Sequence, residues 1–132
     1  MTLEELEDAL PNGLHDASLR SLAIDYVGQE ARLIFDIDTS DESREVERPG
    51  HVTLLGLVYF VIEPPDARYK YDVGAALWVD AIPTGETTPP SNLPAAPEGS
   101  FAYCLFVRNW NSCLYVAARD VRFEWAGEER AK

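Results

Sequence analysis

Apolar and polar residues alternate along most of this chain after residue 18, and this two-residue period limits its fold more than any other feature. In the segment ARLIFDID, one face of a strand would hold Leu33, Phe35 and Ile37. Arg32 and Asp36 would fall on the other face. Because successive side chains of a strand point to opposite faces, the segment indicates a β-strand with one side in the core.

The same pattern, interrupted by turn-forming residues, predicts about seven strands. They cover residues 19–26, 31–38, 51–63, 70–81, 101–109, 113–118 and 119–125. The centre of 51–63 is apolar on both faces, which suits an interior strand. Because the connections are mostly short, we predict a mainly β fold, an antiparallel β-sandwich or partly open barrel with one short N-terminal helix.

The predicted helix covers residues 2–10. Thr2 and Glu5 have the T-x-x-E spacing of a capping box. Leucines at positions 3, 6 and 10 form one apolar stripe, and the proline, asparagine and glycine at 11–13 end the helix.

The length of 132 residues suits a single domain spanning 1–132. Residues 83–100 hold five of the nine prolines and predict a loop. The acidic stretch 39–48 predicts a second, exposed loop. The charged tail 126–132 is expected to fray.

The formal net charge of −12 limits the partners that the chain can bind. A surface with this much negative charge repels phosphate backbones and anionic lipids. Binding to nucleic acids or membranes is therefore not expected. It would attract a basic protein, although acidity also serves solubility alone. The longest apolar stretch is too short for a membrane span. Residues 1–10 lack the pattern of a signal peptide, so the cytoplasm is the expected location.

The two cysteines, Cys104 and Cys113, fall in neighbouring predicted strands joined by a tight turn. If they were directly opposed, Arg108 and Asn109 would be opposed as well, and no residues would remain for the turn. We therefore expect two reduced thiols instead of a disulfide.

His15 and Asp16 stand side by side where the helix should give way to the first strand. As a catalytic dyad they would need a nucleophile or metal and a third, orienting group, and adjacent residues of an extended chain point apart. A structural corner is the better interpretation. Asp16 would accept bonds from nearby backbone N–H groups, and the His15 ring would donate to a backbone carbonyl.

The stretch Asp36–Glu47 partly matches a calcium-binding loop. Asp41 stands where that loop needs glycine, and its flanks read as strands instead of helices, so we predict no metal site here. The chain also lacks a Gly-rich phosphate loop, C-x-x-C, H-E-x-x-H and G-x-S-x-G, and no cofactor or catalytic residue is predicted.

The turn between strands 101–109 and 113–118 is the candidate binding site. Trp110 lies in this turn, flanked by Arg108, Asn109 and Asn111. An exposed tryptophan among polar residues is a good anchor for a protein partner. The alternative is that Trp110 folds back over the sheet edge.

The stretch GLHDASLRSLAIDY, followed by ARLIFDI, resembles the opening of several small bacterial families. These include uncharacterised proteins and predicted immunity proteins of toxin systems. The shared L/F-H-D-[AS] element corresponds to residues 14–17 and leads into a β-hairpin, within the first third of the chain. The resemblance implies a β-rich fold and binding to a toxin, and it does not imply catalysis.

Three classes of function follow from these patterns. The first is a non-catalytic protein-binding module, immunity-like, whose acidic surface meets a basic protein. The second is a small-ligand-binding β domain with an aromatic pocket. The third, an enzyme using His15, Asp16 or His51, is disfavoured because the chain has two histidines and no catalytic motif.

Overall fold

The alternating segments pair side by side in a computed structural model that describes residues 1–83 and 90–132. The described part contains one antiparallel sheet of nine strands, preceded by helix α1, Leu3–Ala9, so the fold is mainly β, as predicted. The strands are β1 Ala17–Asp25, β2 Glu30–Asp38, β3 Val46–Leu55, β4 Tyr59–Ile62, β5 Leu77–Pro83, β6 Phe101–Val107, β7 Ser112–Ala118, β8 Asp120–Trp125 and β9 Arg130–Ala131.

The strand order is β4-β7-β6-β5-β1-β2-β3-β8, and β9 pairs with one end of β3. Strands β4 and β8 are its two ends, so among the described residues the sheet does not close into a complete barrel. β7 and β8 are consecutive in the chain, but β7 lies next to β4 at one end of this order and β8 is the other end. Arg119, the residue between them, donates its N–H to the Leu55 carbonyl at 3.0 Å, beside the pairing of β3 with β8.

The core lies on the side of the sheet to which the alternating apolar residues point. The largest fully buried side chains include Leu14, Leu33, Phe35, Ile37, Val52, Leu54, Val79, Leu105, Val107 and Val116. α1 adds its leucine stripe, since Leu3 and Leu6 are also fully buried in this cluster. The amphipathic pattern of the helix therefore positions the chain that leads into β1.

The predicted capping box is confirmed. The Thr2 hydroxyl accepts a hydrogen bond from the Glu5 N–H at 3.1 Å, and the Glu5 carboxylate accepts one from the Thr2 N–H at 2.9 Å. These reciprocal bonds satisfy two donors that the first turn of a helix otherwise leaves free.

The predicted single strand over 51–63 is wrong, because the segment forms two strands that lie apart in the sheet. β3 begins at Val46, inside the predicted loop 39–48, and ends at Leu55. Gly56 then has φ of +60°, a left-handed conformation that turns the chain away. β4 consequently pairs with β7 instead of continuing beside β2.

The predicted strand 70–81 is too long at its start. Residues 70–76 contain a turn in which the Ala75 N–H donates to the Asp72 carbonyl at 3.0 Å, and Gly74 has φ of +90°. β5 begins only at Leu77. Of the proline-rich segment 83–100, residues 84–89 lie outside the described part, and 90–100 contain turns without helix or strand.

The tail 126–132 is paired, contrary to the prediction that it frays. Arg130–Ala131 forms β9 against Val46 and Glu47 of β3. The Arg130 guanidinium lies 2.6 Å from Asp36 and 3.2 Å from Glu47. These ion pairs join residues far apart in the sequence, and local composition does not reveal them.

No helix in the described part of the chain is long and apolar enough to cross a membrane.

Candidate binding site

His15 and Asp16 lie at the corner where the chain leaves α1 and enters β1. Asp16 has φ of +58°, a left-handed conformation that aspartate tolerates better than most residues. Leu14 is fully buried beside it, which fixes the corner against the core. The His15 side chain is 69% exposed.

The corner is held by ion pairs to other strands, and this corrects the backbone bonds expected for it. The His15 ring places Nδ1 2.6 Å from Asp80 Oδ1 on β5 and Nε2 3.4 Å from Asp16 Oδ2. Arg108, in the single 3₁₀ turn Arg108–Trp110 after β6, donates to Asp16 and lies 3.5 Å from Asp80. We call these four residues the corner cluster.

The corner cluster balances two carboxylates against a guanidinium and an imidazole. Each ring nitrogen of His15 faces one of the two carboxylates, Nδ1 towards Asp80 and Nε2 towards Asp16. The ligand atoms of His15, Asp16 and Asp80 also lie within 4.8 Å of one another, close enough to share a metal ion. Arg108 already supplies positive charge to both carboxylates, so the arrangement is that of an ion-pair network.

Beside the corner cluster an open cavity of about 300 Å³ is lined by Asp16, Trp78, Arg108 and Lys132. The Lys132 ammonium lies 5.9 Å from the centre of the Trp78 ring and 3.4 Å from Asp38. No local pattern in the sequence marks Asp80, Trp78 or Lys132 as a neighbour of His15. Only the polar Asp80 within an otherwise apolar strand could have drawn attention to this place.

The four residues of the predicted binding turn do not act as one surface. Arg108 belongs to the corner cluster, and the Asn109 side chain accepts a hydrogen bond from the Trp78 N–H at 2.8 Å. Asn111 has φ of +48° and donates to Asp66 at 3.1 Å. Trp110 is half-buried and lies in an aromatic pair with Tyr71. The two asparagines thus hold the turn in place, which leaves Arg108 and Trp110 as the candidates for recognition.

Two carboxylates of the calcium-like stretch, Asp36 and Asp38, are paired with cations of the chain itself. Asp36, on β2, lies 2.7 Å from Arg20 and 2.6 Å from Arg130. Burial raises the pKa of Asp38, but hydrogen bonds from Ser40 and the Lys132 ammonium outweigh it and lower that pKa. These contacts are structural, and they use the oxygens that a metal would need.

The two cysteines are free and are not cross-strand partners, as predicted. Cys104 is opposite Tyr115, and Cys113 is opposite Phe106. Burial raises the pKa of the Cys104 thiol, so this cysteine is a poor nucleophile at neutral pH.

The two histidines do not share a site. His51, on β3, contacts Arg32 and lies 3.7 Å from Glu124 on β8. His15 contacts Asp16 and Asp80. Among the described residues, no contact partner is common to both rings, so the convergence that an enzyme built on them would require is not found.

Comparison of the chain with protein-family models, with curated proteins and with solved structures found no match in any of the three.

Proposed function

We propose that this chain is a non-catalytic protein-binding module whose acidic surface meets a basic partner protein. The observation that carries the proposal is the charge balance: 23 carboxylates stand against 11 lysines and arginines. Seven of those cations form ion pairs with carboxylates of the same chain. They are Arg20, Arg32, Arg44, Arg68, Arg108, Arg130 and Lys132.

Exposed acids occur on three segments that hydrogen bonds connect: α1 with the turn after it, the β2–β3 loop and the tail. The Asn12 side chain donates to the Ser40 carbonyl at 2.9 Å, and the Lys132 N–H donates to the Glu45 carbonyl at 3.2 Å. These two bonds bring three separate segments together. We call their exposed carboxylates the acidic rim, which consists of Asp8, Asp41, Glu42, Glu45 and Glu128.

Such a rim favours a partner with a complementary basic surface. Complementary charge raises the rate of association, and salt lowers that rate because it screens exposed charges. The likeness of residues 14–17 to predicted immunity proteins supports a toxin as the class of partner. We place the interaction in the cytoplasm, which keeps thiols such as Cys104 reduced.

The proposal is tested by capture of partners on the tagged chain from a lysate of its source, with elution by a salt gradient. The rim variant carries Glu42→Lys and Glu45→Lys. Its matched control carries Asp72→Lys and Glu98→Lys, which make the same charge change at exposed positions outside the rim. We expect one discrete basic protein that elutes at moderate salt from wild type and control and is lost from the rim variant. An empty eluate, or equal retention by all three chains, would contradict the proposal.

A further inference from the structure

A cleft runs between β1 and the edge strand β4, where the sheet stays open. At one end a cavity of about 180 Å³ touches Leu19–Leu22 of β1 and Ile62 of β4. At the other end a cavity of about 240 Å³ touches Ile24 of β1 and Tyr59 and Phe60 of β4. We call this surface the β1–β4 cleft.

Both walls of the β1–β4 cleft are strand edges with unused pairing capacity. Among the described strands, β4 pairs with β7 alone. β1 pairs with β2 along most of its length but with β5 only over Ala17–Leu19, so the rest of β1 up to Asp25 has a free side. A free edge of this kind is a template for another extended chain.

The walls are also apolar and incompletely covered. Leu22, Ile24 and Phe60 pack against the core but are only partly buried, and Ile62 is 51% exposed. Trp110 lines the first end of the cleft, and within the described structure its buried indole N–H has no hydrogen-bond partner. A buried donor without a partner is costly, so this N–H destabilises the chain in its unbound state.

The charges around the cleft distinguish between possible occupants. Asp25 lines one end, where its carboxylate accepts hydrogen bonds from the Val27 and Gly28 N–H groups. Glu63 directly follows β4, and its carboxylate accepts a hydrogen bond from the Cys113 N–H of β7 at 2.8 Å. Arg20, the cation on the wall, is already paired with Asp36 at 2.7 Å. A second copy of a chain with net charge −12 would be repelled, whereas lysines or arginines at the ends of a partner segment would be attracted.

We propose that the β1–β4 cleft binds an extended segment of a partner protein, with alternating apolar residues flanked by lysine or arginine. The segment would add a strand at the edge of β4 and place its apolar side chains against β1. This inference rests on the proposed function and names the surface through which the partner is recognised.

The test selects binders for the immobilised full chain from a display library of short random peptides. Retained peptides should show apolar alternation with basic flanks, and their synthetic versions should change the fluorescence of Trp110. Ile62→Lys should weaken their binding about tenfold or more, because it places an unpaired charge against an apolar segment. Val73→Lys is the matched control at a position that is 98% exposed, and it should leave the affinity within about twofold.

Each other result overturns the inference in a distinguishable way. If basic, salt-sensitive peptides bind Ile62→Lys as tightly as wild type, the β1–β4 cleft is not the binding surface. The proposed function would not be contradicted by that result. A library without any retained peptide would contradict the inference about the cleft, and the proposed function would then be judged by the lysate capture alone. A dimer of the free chain that Ile62→Lys dissociates would make a second copy the occupant and refute the partner segment.

Discussion

Substitutions at Asp16 separate the two contributions that hold the corner between α1 and β1. The first is backbone conformation, since φ of +58° costs an alanine about 1–2 kcal/mol. The second is the ion pair between Asp16 and Arg108. The Arg108 side chain is 39% exposed and the Asp16 side chain 37%, so the pair contributes at most about 1 kcal/mol. Asp16→Ala loses both and should lower the free energy of unfolding by about 2 kcal/mol.

Two further variants at the same position isolate each contribution. Asp16→Gly removes the ion pair but adopts positive φ freely, so its loss should be about 1 kcal/mol, including the greater freedom of glycine in the unfolded chain. Asp16→Asn keeps a residue that tolerates positive φ and loses only the charge, for a cost of about 0.5 kcal/mol. The assay is urea unfolding followed by tryptophan fluorescence, with equal slopes required for the comparison.

The expected order of stability is wild type, Asn, Gly and then Ala. An alanine variant as stable as the glycine variant would show that the backbone at Asp16 is not left-handed in solution. An asparagine variant as unstable as the alanine variant would show that the ion pair with Arg108 dominates. Either result would refute the reasoning about the corner.

Three other perturbations test separate parts of the fold. Burial raises the pKa of the Glu7 carboxyl above its ordinary 4.5. At pH values between the unfolded and the folded pKa, the native state therefore holds a proton that the unfolded state has released. The free energy of unfolding consequently falls as the pH rises through this interval. Unfolding of wild type and Glu7→Gln from acid to neutral pH should therefore show wild type losing stability relative to the variant, and a constant difference would contradict this. Gly50→Ala would place a Cβ 2.7 Å from Ile37 and 2.8 Å from Phe123, and should cost about 1–3 kcal/mol in thermal unfolding unless the Phe123 ring moves aside. Iodoacetamide should leave Cys104 unmodified in the native chain by mass spectrometry, and rapid labelling there would show that the thiol is accessible.

The fold was largely predictable because burial on one face imposes a period of two. The hairpin of β1 and β2, the capped helix and the β6–β7 hairpin all follow from patterns within a few residues. The division of 51–63 was not predictable in the same way, since its apolar run continues on both sides of Gly56. The left-handed φ of that glycine sends β4 to the opposite end of the sheet, and only the packed structure determines it.

The candidate site was less predictable, because register brings together residues from distant segments. The sequence places His15 and Asp16 between the helix and the first strand, but Asp80 reaches them only because β5 pairs with β1 at Ala17–Leu19. Arg108 reaches them because the β6–β7 turn stands beside the same end of β5. The β1–β4 cleft likewise lies where the pairing of β1 with β5 stops and where β4 pairs only with β7 among the described strands. No local sequence pattern marks this cleft.

We propose above that acidic charge on this chain recruits a basic protein. The most direct test is the rate of association between the chain and its captured partner, measured across a range of ionic strength. We expect this rate to fall steeply with salt and the dissociation rate to change little. Glu42→Lys with Glu45→Lys should remove most of the salt dependence of the association rate. An association rate that does not change with salt would contradict the proposed function. So would an association rate with the same salt dependence in wild type and in the rim variant.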